Sequence, residues 1–263
     1  MRTRFFYPTG AEIDQGFFDM CLKSWPLRAE DLIRAAEIDH PQTVVAEFTG
    51  YLRLIDDSGH PVQVATEIGI DAKNTGLRIY TMRTLIFGRT LEMSLAGELS
   101  SREHLRAGVV TAAIVAQVAM GLTVGISGVA RVMNACDPLV SVFPSLAKEI
   151  EGAYPIHAAM GYDFLTEWDL HTHKRALGLL AKERVGPLSI DRVMAGIDKL
   201  GHAWELAEFE IEGQKLGEMY FTRAGRWMGR MDLTPGSPGR ARAERFVAEY
   251  GRKYAGQGDA IQN

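Results

Sequence analysis

The strongest constraint on the fold is a run from Val44 to Leu54 in which two sets of side chains alternate. One set comprises Val44, Ala46, Phe48, Gly50, Leu52 and Leu54, and the other comprises Val45, Glu47, Thr49, Tyr51 and Arg53. A period of two residues is typical of a strand that is buried on one face. Three further strand-like runs follow, separated by turn-forming residues at 56–59, 71–76 and 88–89. Four strands with short connections predict an antiparallel meander over about residues 43–99.

An uncharged run over residues 108–130 predicts a long apolar helix directly after this sheet. Ser100, followed three residues later by Glu103, matches the capping box that begins many helices. We place the helix at about 102–131, buried against the apolar face of the sheet. A run of this length could also cross a bilayer, so membrane association through 108–130 is an alternative. The run has no Trp or Tyr at its ends, which argues against that alternative.

The rest of the chain predicts further helices and a second antiparallel β region, so the fold class is α+β. A helix over about 164–184 fits between Asp163 as its cap and a glycine–proline stop. Alternating apolar and charged residues predict strands within about 204–233. Residues 235–263 are expected to form a polar C-terminal extension with a short helix. We expect one globular domain over 1–263, because no clear boundary interrupts the pattern.

The segment EWDLHTH, residues 167–173, is the most metal-like string in the chain. On a strand its carboxylates and imidazoles would share one face, as in divalent-metal sites. Its core, Asp-Leu-His-Thr-His, resembles the first metal motif of the polymerase-and-histidinol-phosphatase phosphoesterase family, which implies a metal site on these residues. The later ligand motifs of that family are absent. The local apolar spacing favours a helix, in which residues two apart diverge by about 200° and cannot share a metal. We therefore predict no metal here.

Candidate catalytic residues come from the polar face of the first sheet and from the histidines. That face carries Glu47, Tyr51, Arg53, Glu67, Arg78, Tyr80, Glu92 and Glu98. Helices covering it would create a charged pocket suited to acid–base chemistry, whereas a solvated face would be ordinary surface. Histidines are the usual general bases, although a single histidine is more often structural, and this applies equally to His202. The selected catalytic candidates are His157, His171, His173, Arg83 and Glu67.

Charge and missing motifs exclude several classes of function. The formal net charge is −4 over 263 residues, which gives no electrostatic footprint for nucleic acid. The sequence has no glycine-rich phosphate loop, no G-x-S-x-G elbow and no H-E-x-x-H helix. Covalent nucleophilic chemistry and nucleotide binding therefore gain no support, and the cofactor is left undetermined.

The remaining observations favour a cytoplasmic small-molecule enzyme. The two cysteines have no metal-ligand spacing, and residues 1–8 lack the apolar run of a signal peptide. We expect acid–base chemistry on a small-molecule ligand in a pocket formed by the antiparallel sheet and helices. A non-catalytic small-ligand-binding or assembly protein is the alternative. Apolar helical surface and exposed sheet edges are also compatible with a homodimer.

Overall fold

The computed structural model of the protein describes eleven stretches of the chain. These are residues 1–25, 27–38, 40, 42–57, 61–87, 90–97, 109–126, 128–133, 155–184, 190–223 and 227–255. The chain divides into two compact units. Unit 1 comprises Met1–Ala130, Leu233–Gly236 and Val247–Asn263, and unit 2 comprises Arg131–Asp232 and Ser237–Phe246. A single domain over 1–263 stays a prediction.

Unit 1 is built on a mostly antiparallel sheet with helices. Its elements are β1 (Arg2–Phe6), β2 (Glu12–Ile13), α1 (Gln15–Cys21), α2 (Ala29–Ala36), β3 (Thr43–Ile55), β4 (Pro61–Ala72), β5 (Arg78–Phe87), β6 (Thr90–Gly97), α3 (Val109–Val124) and β7 (Gly128–Met133), the last of which runs on into unit 2. The strand order is β2-β1-β3-β4-β5-β6-β7. Neighbouring strands from β3 to β6 are antiparallel, whereas β1 is parallel to β3 and β7 is parallel to β6. The expected mixture of helices with a mostly antiparallel sheet is confirmed.

A β-bulge changes the predicted faces at the start of β3. The register shifts between Val45 and Glu47, so Ala46 has no partner residue on β4. A bulge adds one residue to a strand, so the alternation of side chains before the bulge is out of step with the alternation after it. Val44 is consequently exposed and Val45 is buried with Phe48, the reverse of the sequence-based assignment.

The long apolar helix ends earlier than predicted. Helix α3 ends at Val124, and the following Gly125 adopts φ +76°, a conformation that ends helices. Residues 128–131, predicted as the end of this helix, instead lie in β7. The predicted start, from 102 to 108, lies outside the described residues. Among the helices that the structure describes, none is long and apolar enough to span a membrane.

Unit 2 is largely helical, and the predicted second β region is mostly wrong. Its elements are α4 (Pro155–Met160), β8 (Tyr162–Phe164), α5 (Glu167–Arg184), α6 (Ile190–Asp198), α7 (Ala203–Ala207), α8 (Leu216–Arg223), β9 (Trp227–Asp232) and the start of α9 (Pro238–Ala255). Among the described residues of 204–233, β9 is the only strand, and it pairs antiparallel with β8. Apolar residues two apart near 209–211 and 219–221 imitate strands. The cap of α7 and the close packing of α8 on α7 override that alternation.

Candidate functional site

The short strand β8 organises a cluster of polar and aromatic side chains in unit 2. Gly161 precedes it with φ +106°, and a Cβ added there would lie 2.6 Å from the carbonyl oxygen of Gly239. Glycine alone tolerates both the backbone conformation and the contact. Consecutive side chains of a strand point to opposite faces, so the side chains of Asp163 and Phe164 lie on opposite faces of β8.

Asp163 holds a histidine and the first turn of α7. Its Oδ2 lies 2.6 Å from His202 Nδ1. Its Oδ1 accepts hydrogen bonds from the backbone N–H groups of Ala203 at 2.8 Å and Phe164 at 2.9 Å. The side chains of His202 and Asp163 are 39% and 28% exposed, respectively. Both oxygens of the carboxylate are therefore engaged, and the pair still borders solvent.

Local capping explains why α7 begins beside His202. Glu205 Oε2 accepts from the backbone N–H groups of Gly201 at 2.5 Å and His202 at 3.2 Å. A carboxylate that reaches back from the third helical position satisfies donors that the helix itself leaves unpaired. Helix α7 consequently starts at Ala203, with the His202 imidazole placed against Asp163.

The imidazole of His202 rests on an aromatic platform. Its ring stacks on the buried indole of Trp204, with centroids 4.3 Å apart and planes at 17°. The Arg242 guanidinium lies 5.2 Å from the same indole and donates two hydrogen bonds to Glu208, at 2.6 and 3.0 Å. These bonds lower the pKa of Glu208. In the described part of the chain, no residue hydrogen-bonds His202 Nε2, so that nitrogen is available to a ligand.

A second histidine lies on the other side of β8. His173 Nδ1 is 2.6 Å from the Tyr220 hydroxyl. Its ring stacks against Phe164, with centroids 4.5 Å apart and planes at 19°, and lies parallel to Phe221 at 6.5 Å. Burial lowers the pKa of His173, and the charge of Asp169 opposes that effect. Burial also raises the pKa of Tyr220 to about 12. Near pH 7 the neutral imidazole therefore faces a protonated phenol, an uncharged hydrogen bond suited to an apolar setting.

The His173–Tyr220 pair should narrow the pH range in which unit 2 is stable. The lowered pKa of His173 contributes stability that is present above about pH 6.5 and is lost as the pH falls through the folded-state value. The raised pKa of Tyr220 contributes stability that is present below about pH 10 and is lost as the pH rises towards about 12. Urea unfolding across pH should show a smaller alkaline loss in Tyr220→Phe than in the wild type. Equal alkaline losses in both proteins would contradict this assignment.

His171 and His173 do not form one site. Helix α5 exposes His171 and half-buries His173, and residues two apart on a helix diverge by about 200°. His157 lies on α4, and its side chain is outside the described part of the structure. Within the described ranges, no group of three or more His, Cys, Asp or Glu residues could hold a metal ion. The metal geometry that the five-residue resemblance implies is therefore not formed by residues 169–173.

Helix α5 is capped by Thr166, whereas the sequence predicted Asp163 as its cap. The helix begins at Glu167, and Thr166 Oγ1 accepts from the backbone N–H of Asp169 at 3.1 Å. Asp169 Oδ2 in turn accepts from the Thr166 backbone N–H at 3.2 Å, which completes a capping box. Asp163, expected to cap α5, instead lies in β8 and serves α7.

The two candidates in unit 1 do meet. Glu67 and Arg83 are direct partners across β4 and β5, and their charged groups lie 3.3 Å apart. Both side chains are partly exposed, so the pair contributes at most about 1 kcal/mol. Nearby, Arg78 bonds Asp71 at 2.5 Å and lies over Gly69, where any Cβ would strike its guanidinium. This face is a network of paired charges at the surface of the sheet.

Sequence reasoning selects His173 but not His202, and it misses the partners of both histidines. The alternation of apolar and polar residues predicted a strand around Tyr220. The helical spacing after Asp163 predicted that this residue caps α5. The spacing of three residues between His202 and Glu205 signals a helix start and could have placed His202 at the beginning of α7. No local signal links either histidine to its partner, because the partners are 39 and 47 residues away.

Comparison with known proteins adds no family to this geometry. A scan against protein-family models and a search of curated proteins both found no match.

Proposed function

We propose that unit 2 performs acid–base chemistry on a small organic molecule, with His202 as the base and Asp163 as the residue that orients it. The observation that carries the proposal is the 2.6 Å bond between Asp163 Oδ2 and His202 Nδ1, combined with the accessible Nε2. A carboxylate that accepts from one imidazole nitrogen keeps the proton there and leaves the other nitrogen as the acceptor.

The surroundings of His202 support a proton transfer at Nε2. Asp163 cannot turn away, because its second oxygen already accepts two backbone N–H groups. Stacking on Trp204 restricts rotation of the imidazole and excludes water from one of its faces. Such a base takes a proton from a substrate bound within about 3 Å of Nε2 and returns it later in the cycle. His173, covered by Phe164, acts as a positioning residue that supports β8 from its other side.

Incubation with a metabolite library tests the proposal although the substrate is unidentified. Wild-type protein and His202→Gln are incubated with the library, and mass spectrometry detects compounds that change. We expect at least one compound to be converted by the wild type and left unchanged by a correctly folded His202→Gln protein. Equal conversion by both proteins would contradict the role of His202. A parallel His171→Gln protein tests the sequence-based candidate, which this proposal expects to be dispensable.

A non-catalytic small-ligand protein is the second candidate, and a groove in unit 1 favours it. The groove of about 260 Å³ lies between α2 and α3. It is lined by Asp31, Arg34, Ala35, Glu37, Ala116, Ala119, Met120, Thr123 and Val124. The long apolar helix would then form the wall of a ligand site. A library compound that binds unchanged, and whose binding is weakened by Ala119→Trp, would support this function over catalysis.

A further inference from the structure

Helix α5 carries an exposed stripe that its own chain leaves uncovered in the described structure. The stripe, called here the α5 seam, consists of Trp168, Thr172, Arg175 and Leu179, and the exposed Leu165 lies just before the helix begins at Glu167. Its spacings of three and four residues are those of a helix–helix contact. Trp168 is 73% exposed, Leu179 is 57% exposed and Leu165 is 45% exposed. Large apolar side chains in such a row on the surface mark an interaction site.

The opposite side of α5 already makes the contacts that hold the helix in unit 2. Leu177 and Ala181 are fully buried. Gly178 is so close to Met194 of α6 that an added Cβ would lie 2.9 Å from its terminal methyl group. Trp168 and Leu177 are nine residues apart, which places them on opposite sides of the helix. The seam is therefore surplus to the packing of unit 2.

We propose that the α5 seam binds the same seam of a second copy of this chain, with the two helices antiparallel. A twofold axis at Thr172 would place the partner's Leu179 beside the start of α5, where Leu165 is exposed. It would also place Trp168 within one residue of the partner's Arg175 along the helix, close enough for the guanidinium to lie over the indole ring. Each contact occurs twice, as an isologous interface requires.

Charge favours the antiparallel arrangement over a parallel one. Parallel helices in register would bring Arg175 against the partner's Arg175, which is repulsive. Acidic residues Glu167 and Asp169 lie in the first turn of α5, and basic residues Lys182 and Arg184 lie in the last. Antiparallel pairing directs each acidic end towards a basic end and also opposes the two helix dipoles. A contact limited to this seam would bury less than the surface area of about 1,200–2,000 Å² that stable interfaces bury. The dimer should therefore be weak and reversible.

Sedimentation equilibrium of the full chain tests the interface. We expect self-association with a Kd on the order of 10–100 μM, and Trp168→Ala should weaken it at least about tenfold. Met20→Ala removes an apolar side chain of unit 1 that is 57% exposed and should leave the Kd unchanged. A wild-type protein that stays monomeric to about 1 mM would overturn the proposal. Dimerisation that survives Trp168→Ala would also overturn it.

Cysteine cross-linking tests the orientation separately. Both native cysteines are first replaced, as Cys21→Ser and Cys136→Ser, and Thr172→Cys or Leu179→Cys is then added. In the antiparallel dimer the two copies of residue 172 meet at the axis, whereas those of residue 179 are about 21 Å apart along the helices. Disulfides need Cα atoms within about 7 Å, so only Thr172→Cys should form linked dimers. Equal cross-linking at both positions indicates parallel helices and would overturn the antiparallel proposal.

Discussion

Replacing Gly217 with alanine should destabilise unit 2 by about 3 kcal/mol or more. An added Cβ would lie 1.9 Å from the carbonyl oxygen of Leu206 and 2.6 Å from that of Ala207. Both are backbone atoms of the segment against which α8 packs, so no side chain can rotate to relieve the clash. The backbone N–H of Gly217 also donates to Phe209 at 2.9 Å. Displacement of α8 would separate Tyr220 from His173.

Urea unfolding measures this loss, and Gly201→Ala is the matched control. A Cβ on Gly201 would meet only the flexible carboxylate of Glu205, at 3.6 Å. We expect the control to change the free energy of unfolding by less than about 1 kcal/mol. Equal free energies of unfolding for Gly217→Ala and Gly201→Ala would contradict the close approach of Gly217 to the backbone of α7.

Two substitutions at Asp163 should separate its structural role from its chemical role. Asp163→Ala removes the acceptor for the backbone N–H groups of Ala203 and Phe164, and hydrogen bonds to a charged group contribute about 1.5–3 kcal/mol each. We expect a loss of about 2–4 kcal/mol in the free energy of unfolding. Asp163→Asn keeps an oxygen acceptor at Oδ1 and should stay within about 1 kcal/mol of the wild type.

The chemical role should fail in both variants. In Asp163→Asn the amide N–H would donate to His202 Nδ1, which moves the ring proton to Nε2 and removes the base. Turnover of the substrate found by library incubation should fall about 10²–10⁴-fold, the usual contribution of a general base. An Asp163→Asn protein that is stable and fully active would show that Asp163 acts only as a structural anchor.

Local periodicity predicted several elements correctly. The alternation over 44–54 lies within β3, and the helical spacing after Asp163 lies within α5. The same reasoning failed over 204–233, where residues two apart resemble a strand. There Glu205 caps α7, and Gly217 lets α8 approach the backbone of α7. A helix cap and a close backbone contact each depend on a single residue. Neither therefore produces a periodic pattern in the sequence.

The sequence by itself determined that the chain mixes helices with a mostly antiparallel sheet, and it offered His173 as a catalytic candidate but not His202. Only the tertiary structure decided which partners they have. Asp163 is 39 residues from His202, and Tyr220 is 47 residues from His173. A hydrogen bond of 2.6 Å requires both backbones to be in place, and periodicity reports only neighbours along the chain. The packing of α5, α7 and α8 around β8 therefore creates the candidate site.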